Sequence, residues 1–326
     1  MSLDADQIVD RRRMRRKLTF WRVLATLLAA AAVIAASAVL RPPGLLAGAG
    51  ADQIARIAIT GLITSDQERV AALDRLGRSQ VKAVIVHINS PGGTTSGSEE
   101  LHHSLIALRE KKPMVVVVDG LAASGAYIAA IAADHIVAQE TSLVGSIGVL
   151  FQLPNVSELL GKLGVSMEEI KSSPLKAAPD GLEPTSPEAR AAIASIVKDS
   201  YDWFRDLVKN RRHLDDAGLE RVADGRVFTG RQGVPLKLVD ELGDEQTAIA
   251  WLAKEKNIDP TLPVRDYRLR DRFSDLPFLH TAAVALLEAA GLRPLAERIE
   301  TSSAVQTIDQ LNLDGLLALW HPSAGN

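Results

Sequence analysis

The chain has 326 residues, room for one large domain or two small ones. A formal net charge of −3 and an aromatic content of 4% exclude a strongly basic nucleic-acid surface and a base-stacking platform. The absence of cysteine excludes disulfides, thiolate metal sites and a cysteine nucleophile.

Residues 1–17 are polar and end in a basic run, Arg11, Arg12, Arg13, Arg15, Arg16 and Lys17. Residues 18–40 are almost wholly apolar, with Arg22 as their only charge, and the last 18 of them are uncharged. As a helix those 18 span about 27 Å, close to the hydrocarbon thickness of a bilayer. Arg22 stands at the basic end, where its side chain can snorkel to headgroups, and Phe20 and Trp21 suit the interface. The pattern predicts a single transmembrane signal anchor over 18–40. The basic segment 1–17 then lies in the cytoplasm and the rest on the periplasmic or extracytoplasmic side. The rival reading is a cleaved signal peptide, since Ala36-Ser37-Ala38 is a small-residue cleavage pattern. Both readings put the body of the chain across the membrane.

Residues 41–53, opening Arg-Pro-Pro-Gly, read as a linker to a globular domain over 54–258. Residues 56–60 alternate as a strand. A helix follows over 65–78, with Val70, Leu73 and Leu76 on one face and Ser65 as its cap. Residues 81–88 are an apolar strand, and Asn89-Ser90-Pro91-Gly92-Gly93-Thr94 reads as a sharp loop. A second helix is predicted over 98–110 and a third strand over 114–118. An Ala-rich helix spans 128–133, and short strands are predicted over 135–138 and 146–150. Strands alternating with helices at these lengths predict an α/β fold, a mostly parallel sheet with flanking helices.

Farther on, 156–163 reads as a helix and 168–171 as a strand. The segment from Ser172 to Gly181 reads as irregular, because Pro174 and Pro179 interrupt it and Pro184 lies just beyond it. A long helix is predicted over 187–210, opened by Pro187 and striped by Ala192, Ile196, Ser200, Phe204 and Val208. Short elements come next around 219–223, 227–230 and 239–243, then a helix over 244–257. Residues 259–326 are a C-terminal extension with apolar pieces at 276–292 and 311–320, suited to packing or to a membrane surface.

Chemistry concentrates where the strand over 114–118 runs into Asp119-Gly120-Leu121-Ala122-Ala123-Ser124-Gly125. A serine between a strand end and a helix start has two readings, a helix cap or a nucleophile held out on a tight turn. An activated serine needs a base. None of the seven histidines (87, 102, 103, 135, 213, 280, 321) lies in a Gly- or Pro-rich loop, which weakens a Ser-His-Asp triad. A lysine can serve when an apolar setting keeps it neutral. Lys176, in Ser-Ser-Pro-Leu-Lys-Ala-Ala-Pro, has no charged neighbour within three residues, whereas Lys171, Lys198, Lys209 and Lys237 sit near other charges. The glycines of the Asn89–Gly93 stretch and Gly125 could offer backbone N–H groups to an oxyanion. No zinc motif, Walker loop, GxGxxG or GxSxG occurs, and no cofactor is expected. The acidic pairs Glu99-Glu100 and Asp215-Asp216 read as solvated helix faces.

Six stretches carry a family pattern: Asn89-Ser90-Pro91-Gly92-Gly93; Ala122-Ala123-Ser124-Gly125-Ala126-Tyr127; Ala132-Ala133-Asp134; Gly145-Ser146-Ile147-Gly148-Val149; Lys171-Ser172 through Lys176; and Asp224 through Gln232. In order and spacing they resemble the signal peptide peptidase A (SppA) family, in its short form. Its relatives include bacteriophage capsid proteases, and its fold is akin to Clp protease and the crotonases. The resemblance covers about 54–258 and implies a Clp protease/crotonase-like sheet. It implies a Ser/Lys dyad of Ser124 as nucleophile and Lys176 as general base, with Gly93 and Gly125 as the oxyanion hole and Ser146 orienting the lysine. It also implies a homo-oligomeric ring or dome, an octamer being one candidate, with serine and lysine drawn from adjacent protomers. The substrates it implies are remnant signal peptides, with misfolded secreted or membrane proteins as further candidates. Thr94 departs from the small residue that many members carry after Pro-Gly-Gly. Two other readings share the fold: a crotonase-like acyl-CoA enzyme, which an extracytoplasmic domain disfavours, and a catalytically silent membrane scaffold, which the pair Ser124 and Lys176 disfavours.

Overall fold

The computed structural model describes residues 52–269 and 316–319. The basic segment, the anchor over 18–40 and nearly all of the linker lie outside the described residues, as does most of the C-terminal extension. Among the described residues no helix is long and apolar enough to cross a membrane.

The domain is a mixed α/β sheet of ten strands with helices on both faces. Its centre is three long strands, β1 (Ile54–Ile63), β2 (Ala83–Thr94) and β3 (Met114–Ala123). They pair in parallel, and β4 (His135–Ala138) extends them parallel to β3. The side chains of β2 alternate between two cores. Val84, Val86 and Ile88 face the helices α1 (Gln67–Gly77), α2 (Thr95–Arg109) and α3 (Gly125–Ala130), while Ala83 and Ile85 face α8 (Glu245–Lys256) through Ala248 and Leu252. Strands covered on both faces read as continuous apolar runs, which is why these were visible as strands at all. Burying each such Val or Ile contributes about 2 kcal/mol before entropy is counted.

Local chemistry sets the boundaries. The first helix is capped by Asp66, whose carboxylate accepts from Arg69 N–H at 3.0 Å, and not by Ser65 as expected. An aspartate also places charge at the positive helix end. Glu100 is not a solvated acid: its carboxylate accepts from Asp66 N–H at 2.8 Å and ties α1 to α2. Asp215 likewise caps α6 (Asp216–Val222). The Asn89–Thr94 stretch is the end of β2 and not a free loop. It stays in register with Leu62 and Ile63 of β1 after a bulge, and Thr94 Oγ caps α2 by accepting from Gly97 N–H at 3.1 Å.

The predicted strand over 146–150 is replaced by two shorter pieces, β5 (Leu143–Gly145) and β6 (Leu150–Phe151). Gly145 and Ser146 both take positive φ, 100° and 50°, which breaks any extended run there. Residues 168–171 form no strand, since no neighbour pairs with them, and Ile170 is 99% exposed. The helix α4 (Ser157–Lys162) and this segment stand out from the sheet with Leu159, Leu163 and Val165 exposed. The long helix is present as α5 (Pro187–Arg212), capped by Ser186 with Pro187 in its first turn. Phe204 and Val208 of its stripe are buried, but Ile196 is half exposed.

Four further pieces complete the domain: β7 (Val227–Thr229), the short helix α7 (Gly230–Gly233), β8 (Glu241–Leu242) and β9 (Val264–Asp266). Strand β7 runs antiparallel to β5, β8 pairs in parallel with β4, and β9 in parallel with β1. The last strand comes from the distant C-terminal extension, β10 (Leu316–Leu319). It runs antiparallel to the end of β2 on one side and to β6 on the other.

Candidate active site

Two neighbouring parallel strands part company at the end of the sheet. The β2–β3 ladder runs to Ser90 opposite Ala122 and stops there. Beyond it Leu121, Ala122 and Ala123 pair with β5 on the far side. Such a crevice at the carboxyl ends of parallel strands is where α/β folds place their sites. Ser124 is the first residue past β3, at the mouth of this split.

Ser124 has φ 56° and ψ −119°, a conformation L residues rarely adopt. Holding a non-glycine residue there costs on the order of 1–3 kcal/mol. The surroundings enforce it. Ser124 N–H donates to the Gly145 carbonyl at 2.8 Å, and the Ser124 carbonyl accepts from Tyr127 N–H (2.9 Å) and Ile128 N–H (3.1 Å). Its side chain makes no cap hydrogen bond to α3, so the helix-cap reading fails. The Oγ instead donates a long, weak hydrogen bond to the Gly148 carbonyl at 3.4 Å.

The helix behind the serine is held rigidly. All six residues of α3 are buried. Tyr127 donates its hydroxyl to the Leu238 carbonyl at 2.9 Å, and burial pushes that phenol well above its usual range. His102 Nδ1 lies 2.7 Å from the Ile128 carbonyl, so this nitrogen carries the proton and donates. Burial is the main force lowering the His102 pKa, to about 4, which keeps the ring neutral at pH 7. Arg211 closes the C-terminal end of α3, donating to the carbonyls of Ile131 (2.7 Å), Ala132 (3.3 Å) and Ala133 (3.0 Å).

The other predicted residues are placed as follows. Gly125 opens α3 beside the serine, and its N–H has no hydrogen-bond partner among the described residues. Ser146 adjoins Gly145 and is buried, its N–H donating to the Arg226 carbonyl at 2.8 Å. Gly93 lies on β2 past the point where β3 leaves, opposite Ile63 of β1. A Cβ there would sit 1.8 Å from the Ile63 carbonyl oxygen, so only glycine permits this approach. Ser90 latches the same turn, its Oγ donating to the Gly61 carbonyl at 2.6 Å and accepting from Gly92 N–H at 3.1 Å.

Lys176 stands apart from these residues within one chain. It is exposed on the segment after α4, and its ammonium makes no hydrogen bond or ion pair among the described residues. By contrast Lys171 pairs with Glu169 and lies 3.9 Å from Asp180, Lys198 pairs with Asp202, and Lys209 with Asp216. No described histidine is bonded to Ser124: His87 sits between Asp119 and Glu245 on the α8 face, and His135 stacks on Trp251 at 4.7 Å. Three contributors escape the sequence reading, Ser90, His102 and the Gly148 carbonyl. The cap pattern Thr-x-x-Gly over 94–97 could have revealed that 89–94 leads straight into a helix, but backbone carbonyls leave no sequence signature.

The model of peptidase family S49 matches residues 106–259. A protein of Synechocystis sp. described as a protease candidate is 37% identical over 210 residues, which are 64% of this chain and 76% of that one. This chain belongs to peptidase family S49. The S49 domain therefore includes Ser124, Ser146 and Lys176, while Gly93 precedes the 106–259 match. An Enterococcus faecium protein described as a candidate signal peptide peptidase SppA is 35% identical over 179 residues, 55% of this chain and 52% of that one. The S49 chain thus spans about half of that relative and three quarters of the first. Among solved structures, a ClpP1 point mutant from Listeria monocytogenes matches with a TM-score of 0.40 at 14% identity, covering 58% of this chain and 91% of that one.

Proposed function

We propose that this S49 chain is a serine endopeptidase working through a Ser124/Lys176 dyad, anchored in the inner (cytoplasmic) membrane by residues 18–40 with its catalytic domain outside. The observation that carries the reading is the strained Ser124 at the mouth of the β2–β3 split, beside the N–H of Gly125, which has no partner among the described residues. Backbone strain of this kind clusters at active sites.

In the first half-reaction Ser124 Oγ attacks the scissile carbonyl while neutral Lys176 takes its proton. The N–H groups of Gly93 and Gly125 hold the oxyanion, and Lys176 returns the proton to the leaving amine. In the second half-reaction Lys176 activates a water that releases the acyl group. Ser146 orients the lysine. A lysine works this way only when desolvation disfavours its charge. Lys176 is exposed in the single chain, on a segment whose Leu159, Leu163 and Ile170 are also exposed. A second protomer packed on that segment would bury both the apolar surface and the base. The enzyme is therefore read as a homo-oligomeric ring or dome with shared sites. Its substrates are read as extended apolar peptides, remnant signal peptides first and misfolded secreted or membrane proteins second.

The test is labelling with a peptidyl fluorophosphonate. The expected adduct maps to Ser124, and Ser124→Ala and Lys176→Ala each abolish peptide hydrolysis with assembly intact. Full activity in either variant contradicts the dyad.

A further inference from the structure

A cavity of about 350 Å³ opens between the C-terminal end of α5 and the turn from Val234 to Asp240, which joins α7 to β8. Its polar lining is mostly cationic: Arg211, Arg212, His213 and Lys237 stand against one acid, Asp240. Val234 and Val239 supply apolar wall. The volume falls at the lower end of the range for small-ligand clefts.

Only part of this charge has a partner. Arg212 donates to both carboxylate oxygens of Asp240, at 3.2 and 2.6 Å, and from Nε to the Lys237 carbonyl at 2.5 Å. Asp240 also accepts from Ile136 N–H at 2.8 Å, and His135 Nδ1 lies 3.8 Å from it. The one carboxylate is therefore engaged and directed away from a ligand. Arg211 gives Nε and Nη2 to the carbonyls that follow α3, which are neutral, and its Nη1 has no partner among the described residues. The Lys237 ammonium and the His213 ring also have none there. Burial, with Arg109 and Arg212 close by, holds the Arg211 guanidinium below its usual range, and Asp134 offsets this only in part. The dipole of α5 accounts for arginines in its last turn. It does not account for Lys237, which lies outside that helix in the left-handed region at φ 60°.

We propose that this cavity is a binding site for a phosphate monoester group, held by Arg211 Nη1, Lys237 Nζ and the His213 ring. The three permanent cations exceed the single carboxylate by the charge of a phosphate monoester, about −2 near neutral pH. Guanidinium and ammonium donors from two different elements suit its oxygens. The group can come from a soluble phosphate ester or from a lipid headgroup of the phosphatidic acid type. A bound anion ties α5 to the α7–β8 turn and, through Arg211, to the end of α3. The site is independent of the peptidase reading of Ser124.

The experiment is thermal unfolding of the full chain in neutral detergent, at neutral pH and fixed ionic strength. Inorganic phosphate should raise Tm saturably, and chloride should not. The affinity should fall about tenfold in Lys237→Asn, the loss of one charge-assisted hydrogen bond, and should fall also in His213→Asn. Asparagine accepts the left-handed φ of both positions, so neither variant adds strain. Arg211 is left unaltered because it closes α3. Glycerol phosphate and a short-chain phosphatidic acid are titrated in parallel: tighter binding of the first identifies a soluble ester, of the second a headgroup, and either upholds the site. A Tm rise that chloride reproduces, or that both variants retain at unchanged affinity, overturns it, as does the absence of any rise with phosphate.

Discussion

Ser124 is where sequence and structure meet most closely. A serine between an apolar strand and an Ala-rich helix was open to two readings, and the backbone angles separate them: a cap sits in the extended region, whereas Ser124 lies at φ 56°. That strain predicts a trade of stability for activity. Ser124→Gly should abolish hydrolysis yet be more stable than Ser124→Ala by about 1 kcal/mol, since glycine adopts this φ freely. Chemical denaturation of the two variants measures it. His102 adds a pH dependence. Its folded pKa of about 4 lies below the ordinary value of 6.5, so the unfolded chain binds the extra proton first. Its contribution is complete above pH 6.5 and is lost as pH falls toward 4, about 3 kcal/mol over that window. Urea midpoints at pH 7 and pH 4.5 should converge markedly in His102→Asn, which keeps a donor but cannot titrate, relative to the unaltered protein. Lys176 stood out among the lysines by its uncharged neighbourhood, and the family resemblance added the role of base. The single chain adds that this neighbourhood is a protruding apolar surface.

At the scale of elements, the long regular pieces were legible and the short ones were not. The helices α1, α2, α5 and α8 announce themselves through periodic apolar residues and capping acids or hydroxyls, β1 through alternation, and β2 and β3 through apolar runs. Strands β5, β6 and β10 are two to four residues long and exist only through distant partners, information that no local window carries. The Pro-Gly-Gly stretch misled for a different reason. Turn-forming residues here serve a close approach of two strands, Gly93 against the Ile63 carbonyl, and not a reversal of the chain. It follows that Gly93→Ala should be far more damaging than its size suggests. A Cβ 1.8 Å from a backbone oxygen forces β1 and β2 apart, so the variant should lose several kcal/mol of stability and its activity together. Thermal unfolding beside a peptide assay checks this. A variant with unaltered stability would mean that the approach of β1 is looser than described.

The whole molecule is organised by one topological event, the parting of β2 and β3. It creates the crevice, places Ser124 and Gly125 at its mouth and Gly93 on its wall, and opens the slot that β10 fills. All of these groups belong to one protomer; in the proposed dyad the base is the exception. The exposed Lys176, the apolar surface around it and the requirement that a lysine base be desolvated all point to a site completed by a neighbour. The measurement that tests this most directly is complementation between two inactive proteins. Ser124→Ala and Lys176→Ala are prepared separately, dissociated, mixed and reassembled, and peptide hydrolysis is followed against either variant alone. A site shared between protomers predicts recovery in the mixture, at most about a quarter of the unaltered activity for random pairing of two equal populations. Two variants that are each inactive and remain so after mixing and reassembly would contradict it.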